Sequence, residues 1–138
     1  MQIDKNLIQG KIDLIERDLE FLKGYKKLSI KEFLNNFKDI QAVKYSLLEI
    51  IEACIDIGAH MVSINNLERP KTYAEIFELL GQNKIINLKL SKNLTNMARF
   101  RNILVHSYNK VNDSKILEYI KKDLDNVKDF IKSILTLI

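Results

Sequence analysis

The chain has 138 residues, 46% hydrophobic and 29% charged, with a net charge of +4. Those proportions exclude a disordered chain, and the length fits one domain, residues 1–138, able to bury its own core. One proline and four glycines leave long uninterrupted stretches, which argues for an all-α fold rather than a turn-rich sheet protein.

A first helix is predicted over residues 4–23, because Leu7, Ile8, Ile12, Ile15, Leu19 and Leu22 recur at steps of three and four. Gly24, with Lys26 and Lys27, suits its end. Ser29 and Glu32 stand at the spacing of a capping box and open a short helix that stops near Asn35 and Asn36. A long helix over residues 38–64 turns Ile40, Val43, Leu47, Ile50, Ile51, Cys54, Ile57, Met61 and Ile64 inward. That surface is broad enough for more than one partner helix.

After the Asn65–Asn66 stop and the Arg69–Pro70 turn, Thr72 and Glu75 form a second capping-box pattern, opening a short helix that ends at Gly81. A further helix covers residues 88–106. A last one starts at an Asn112 or Asp113 cap and runs nearly to Ile138, with Ile116, Ile120, Leu124, Val127, Ile131 and Leu135 inward. The expected architecture is an up-and-down bundle of four main helices with one or two short ones.

Cys54 is the single cysteine, so no intramolecular disulfide is expected and a reducing, cytoplasmic setting is. The N-terminus lacks a signal-peptide pattern. Even residues 47–64 are interrupted by Glu49, Glu52 and Asp56, so no membrane span is expected.

Between residues 79 and 112 there is no Asp or Glu, while Lys84, Lys89, Lys92, Arg99, Arg101 and Lys110 all fall there. Local positive field of this kind recruits phosphate more effectively than a mild overall charge. The same stretch holds His106, one of two histidines, with Asn102 and Tyr108 nearby. Histidine exchanges a proton near neutral pH. In RNA, the ribose 2′-OH is a built-in nucleophile. A base that takes its proton, beside an arginine that steadies the phosphorane charge, suffices for strand cleavage without metal or cofactor.

On an ideal helix Arg99, Asn102 and His106 share one face, whereas Arg101 points about 140° away from His106. Cooperation between Arg101 and His106 therefore requires a site at a helix end or at a seam between two copies. The residues alone also allow a plainer reading, in which His106 is structural and the cations form a solvated face. Asp56 and His60, on the long helix, are further candidates. No glycine-rich phosphate loop and no zinc-ligand spacing is present.

Arg101, four residues, His106, one residue, Tyr108 resembles the Arg-x4-His-x-Tyr motif of HEPN-domain toxins of the HepT type. The resemblance extends through Gln41–Val43, Ile51–Ile57 and Thr72–Leu80, and covers most of the chain from about Ile40 onward. It implies a HEPN-like bundle that forms a homodimer with a composite cleft, and a metal-independent endoribonuclease. In that scheme Arg101 and His106 are catalytic, and Asn102, Arg99 and Asp56 are candidates for positioning RNA. It also implies a toxin whose partner is a nucleotidyltransferase antitoxin of the MNT type, which transfers AMP from ATP to Tyr108. The competing class is a non-catalytic subunit that binds nucleotide or docks the nucleotidyltransferase.

Overall fold

The computed structural model describes residues 2–106 and 113–138; the side chain of His106 and all of Tyr108 lie outside the described residues. The described elements are seven helices: α1 (Lys5–Lys23), α2 (Ile30–Leu34), α3 (Phe37–Ile64), α4 (Tyr73–Gln82), α5 (Leu88–His106), α6 (Asp113–Lys122) and α7 (Leu124–Leu135). Among the described residues there is no strand, and no helix is long and apolar enough to cross a membrane.

The helix starts follow from local chemistry. The Asp4 side chain accepts from the Leu7 N–H at 3.0 Å and caps α1. Ser29 accepts from the Glu32 N–H at 3.1 Å while Glu32 accepts from the Ser29 N–H at 3.2 Å, completing the expected capping box of α2. The second box is only half formed. Thr72 accepts from the Glu75 N–H at 3.2 Å, but the Glu75 carboxylate reaches one residue further back, to the Lys71 N–H at 2.7 Å. Glu75 thereby fixes the turn before α4 as well as the helix start.

The stops are equally local. Asn66 adopts a left-handed φ of 52° and lets the Leu67 N–H return to the Val62 carbonyl at 3.1 Å. Asn tolerates that conformation better than most side chains. Gly24, expected to relax the end of α1, has an ordinary φ of −64° and needs no glycine freedom. The α4 helix runs one residue beyond the expected Gly81 end, to Gln82.

The α3 helix is the middle of the bundle. It packs on α1 along one side and on α4 and α5 along another, with α2 and α6 near its beginning. One continuous core cluster includes Ile8, Ile12, Ile15 and Leu22 of α1, the inward positions of α3, Phe77 and Leu80 of α4, and Leu94 and Met97 of α5. Phe77 meets Phe130 of α7 edge-on at 5.7 Å, and Phe100 of α5 stacks on Tyr119 of α6 at 4.8 Å.

The expected last helix is two segments that meet at Asp123, whose φ of −111° leaves the helical range. Apolar residues continue at helical spacing across the junction, through Ile120, Leu124 and Val127, all buried. Periodicity therefore does not reveal the break. Leu7, assigned to the inward stripe of α1, is 39% exposed and stands at its edge.

A close approach joins α4 to α5 at Gly81. A Cβ placed on Gly81 would lie 2.4 Å from the Ser91 Cβ, and the Ser91 hydroxyl donates to the Phe77 carbonyl at 2.7 Å. Gly81→Ala should therefore push α5 away from α4 and lower stability by about 1–3 kcal/mol, the range for overpacking. Urea unfolding would measure this, and an unchanged midpoint would contradict the contact.

A second test concerns Asp18, a buried carboxyl of α1. Burial first, then the nearby Glu49 carboxylate, push it up to about 6, against the opposing pull of a Ser46 hydrogen bond and Arg17. The folded state then holds this proton at pH values where the unfolded chain, with an ordinary value of 3.8, has released it. Stability from this group is fully present below 3.8, falls as pH rises through that window, and is gone above about 6. Asp18→Asn should raise the urea midpoint at pH 8 and flatten the dependence between the two values; a steeper dependence would oppose this assignment.

Candidate functional site

Arg101 lies on the last turns of α5, where the chain faces α3 and the start of α4. Its Nη2 donates to Glu52 Oε1 of α3 at 3.4 Å, and the side chain is only 18% exposed. The guanidinium also stands 4.9 Å from the ring centroid of Tyr73, the first residue of α4. A cation over an aromatic face is attracted by the ring quadrupole, and the flat guanidinium suits that geometry. Nη1 donates to Asn102 Oδ1 at 3.4 Å. Three helices thus fix one arginine. Its Nε is buried without a partner among the described residues, so the group is not saturated by the protein.

Of the expected site residues, Asn102 lies beside Arg101. Arg99 does not: it donates to Glu78 at 3.5 Å and to Asn96 at 3.2 Å, facing away along α4. Asp56 lies one turn beyond Glu52 on α3 and pairs with Lys11 of α1 at 2.9 Å. His60, another turn along, accepts the Asp4 backbone N–H at 2.9 Å through Nε2 and ties the start of α1 to α3. His106 is placed by its backbone as part of α5. Tyr108 lies outside the described residues.

Two residues of the site were not singled out from the sequence. Glu52 reads as an ordinary polar position of a long helix, and Tyr73 as a filler beside the Thr72 cap. A usable signal existed for Glu52. Glu49, Glu52 and Asp56 place three acids along α3 at steps of three and four, opposite an acid-free stretch. Tyr73 carries no such mark, because only the tertiary approach of α4 to α5 brings it under Arg101.

Among the described residues, no group of three His, Cys, Asp or Glu side chains converges as a metal site. Cys54 is buried, and burial pushes its thiol well above its ordinary value.

The helical bundle has the architecture of the HEPN class. A protein of this class from Shewanella oneidensis, solved as a tri-AMPylated HEPN toxin in complex with MNT antitoxin, superposes with a TM-score of 0.87. The match has 30% identity and covers 96% of this chain and 99% of that one. The model of the family described as "Ribonuclease HepT-like" matches residues 15–134. The chain belongs to the HepT-like ribonuclease family.

Two relatives by sequence agree. A protein of Aphanizomenon flos-aquae named tRNA nuclease HepT is 29% identical over 133 residues, 96% of this chain and 90% of that protein. One of Shewanella oneidensis named mRNA nuclease HepT is 34% identical over 100 residues, 72% and 75% of the respective lengths.

Glu52 occupies one edge of the Arg101 guanidinium. Partly exposed pairs of this kind contribute about 0.2–1 kcal/mol, so Glu52→Gln should tighten RNA binding by up to about fivefold. Fluorescence anisotropy with a labelled RNA would read this, and weaker binding would mean that Glu52 chiefly orients Arg101.

Proposed function

We propose that this chain is the toxin of a toxin–antitoxin pair, an endoribonuclease acting on RNA in the cytoplasm without metal or cofactor. The observation that carries the reading is Arg101, held between Glu52 and Tyr73 at low exposure, five positions before His106 on the same helix. A flexible surface arginine would serve a solvated face. A clamped one has its charge fixed before a ligand arrives, which is what stabilising a developing oxyanion requires.

In the proposed reaction His106 acts as general base and takes the proton of the ribose 2′-OH. The 2′-oxygen then forms a bond to phosphorus while the bond from phosphorus to the 5′-oxygen breaks. The proton that His106 has taken is returned, directly or through water, to the leaving 5′-oxygen, and the products are a 2′,3′-cyclic phosphate and a 5′-OH end. Arg101 steadies the added negative charge of the pentacoordinate phosphate, exchanging its Glu52 contact for phosphate oxygens. Asn102 borders the same place. Arg99, turned toward Glu78, adds field rather than contact, and Asp56 serves as a tether to α1.

The helical offset between Arg101 and His106 supports a homodimer. Two copies of α5 side by side would let Arg101 and His106 from different turns, or different chains, converge on one phosphate. Ile103 and Val105, 47% and 38% exposed on the same end of α5, supply apolar surface for such a seam.

Control by a nucleotidyltransferase antitoxin of the MNT type follows from the same chemistry. Attack of the Tyr108 hydroxyl on the α-phosphate of ATP would release pyrophosphate and leave AMP on the tyrosine. The added phosphate charge and bulk would then repel RNA from the Arg101 region.

The decisive experiment is RNA cleavage by purified, unmodified protein in excess EDTA, with analysis of the new ends. Cyclic-phosphate ends are expected. His106→Ala should lower the rate by about 10²–10⁴-fold, the usual contribution of a general acid–base group. Arg101→Lys, which keeps the charge but loses the planar fork, should lower it by about 10²-fold or more. Cleavage that survives His106→Ala would overturn the scheme.

A further inference from the structure

Beside the clamped arginine is a groove of about 420 Å³, lined by Pro70, Lys71, Thr72, Tyr73, Ile76 and Asn102. Its volume falls in the range of small-ligand sites. Ile76 is buried. Tyr73 is 45% exposed although Arg101 stands over its ring. Pro70 and the Thr72 cap give a rigid rim, braced by the Glu75 bond to the Lys71 N–H.

The polar groups at the edge are specific. Arginine can only donate, so the contact between Arg101 Nη1 and Asn102 fixes the oxygen of that amide toward the guanidinium. The amide hydrogens of Asn102 are thereby left for another partner. Lys71, exposed and also lining the groove, supplies a cation. An aromatic platform, an amide donor and a cation around one groove are the elements that recognise a splayed nucleotide. Unstacked RNA bases lie on aromatic rings and are read along their edges by such amides.

We propose that this groove is a nucleobase subsite, receiving the base next to the phosphate that Arg101 holds. It rests on the ribonuclease reading above. Tyr73 stacks on the base, Asn102 donates to an acceptor on its edge, and Lys71 contacts the following phosphate. Because Arg101 and Tyr73 are in contact, the reactive phosphate and the base being read belong to the same or adjacent nucleotides. Cleavage is therefore biased by the identity of one neighbouring base, not by an extended sequence.

The test is internal competition: the full-length protein cuts an RNA pool randomised around a fixed frame, and the new ends are sequenced. Wild type should show a bias at one position beside the cut. Asn102→Ala should shrink that bias about two- to tenfold, the effect of one lost hydrogen bond. Lys71→Gln should keep the bias but weaken affinity. If Asn102→Ala no longer cuts, its affinities for 2′-O-methyl RNA oligomers that differ in one base replace the sequencing. A collapsed spread relative to wild type supports the subsite, and an unchanged spread overturns it. Wild-type cutting without base bias, or full bias in cutting-competent Asn102→Ala, overturns the subsite alone. A wild type that cuts no RNA overturns the ribonuclease reading and the subsite with it.

Discussion

Thirteen of the 28 residues of α3 are buried, including Ser46 and Gly58, so this helix cannot satisfy its surface against one neighbour. The rest of the bundle is a response to that constraint. The α1 helix covers one side, α4 and α5 another, and α2 with α6 close the beginning. Gly58 marks how near the approach is: a Cβ there would lie 2.8 Å from Ile76 of α4. The residues of α3 that remain outside this enclosure, Glu52 and Asp56 among them, are then directed at the ends and edges of the surrounding helices. Glu52 meets Arg101 because α4 and α5 are drawn together over the same apolar face.

Most of the fold was legible because it is written in local terms. The Ser29–Glu32 box, the Asn65–Asn66 stop and the start of α5, where Asn87 accepts from the Leu90 N–H, each depend on side chains within a few positions of one another. Periodicity identified the central helix and eight of its thirteen buried residues; Ser46, Ala53, Ile55, Gly58 and Val62 lie outside the predicted stripe. What escaped were features without a local signature. The break at Asp123 interrupts no apolar repeat. The return of Glu75 to Lys71 instead of Thr72 differs from a capping box by one residue, too fine a distinction for spacing alone.

The site was legible to a lesser degree. Arg101 and Asn102 were singled out from their stretch, and they do lie together. The acid-free window, however, is acid-free only along the chain. In space Glu52 faces Arg101 and Glu78 faces Arg99, each from another helix. A linear run of positive charge therefore overstated the field around α5. Tyr73 could not be anticipated for the same reason: its partner is 28 positions away, and the contact exists only once both helices are seated on α3.

The clamp on Arg101 ties recognition to packing. A free arginine gives up about 2 kcal/mol of rotamer entropy when it is immobilised. Here most of that loss occurs as the protein folds, so it does not weaken the later encounter with an anion. The advantage lasts only while α3, α4 and α5 hold their relative positions. Small changes in the interior, at Gly58 or Ile76, would let the guanidinium wander in a molecule that is still folded. Function in such a variant would fade at temperatures below its melting point, and the interior of the bundle would act as the thermostat of its own surface chemistry.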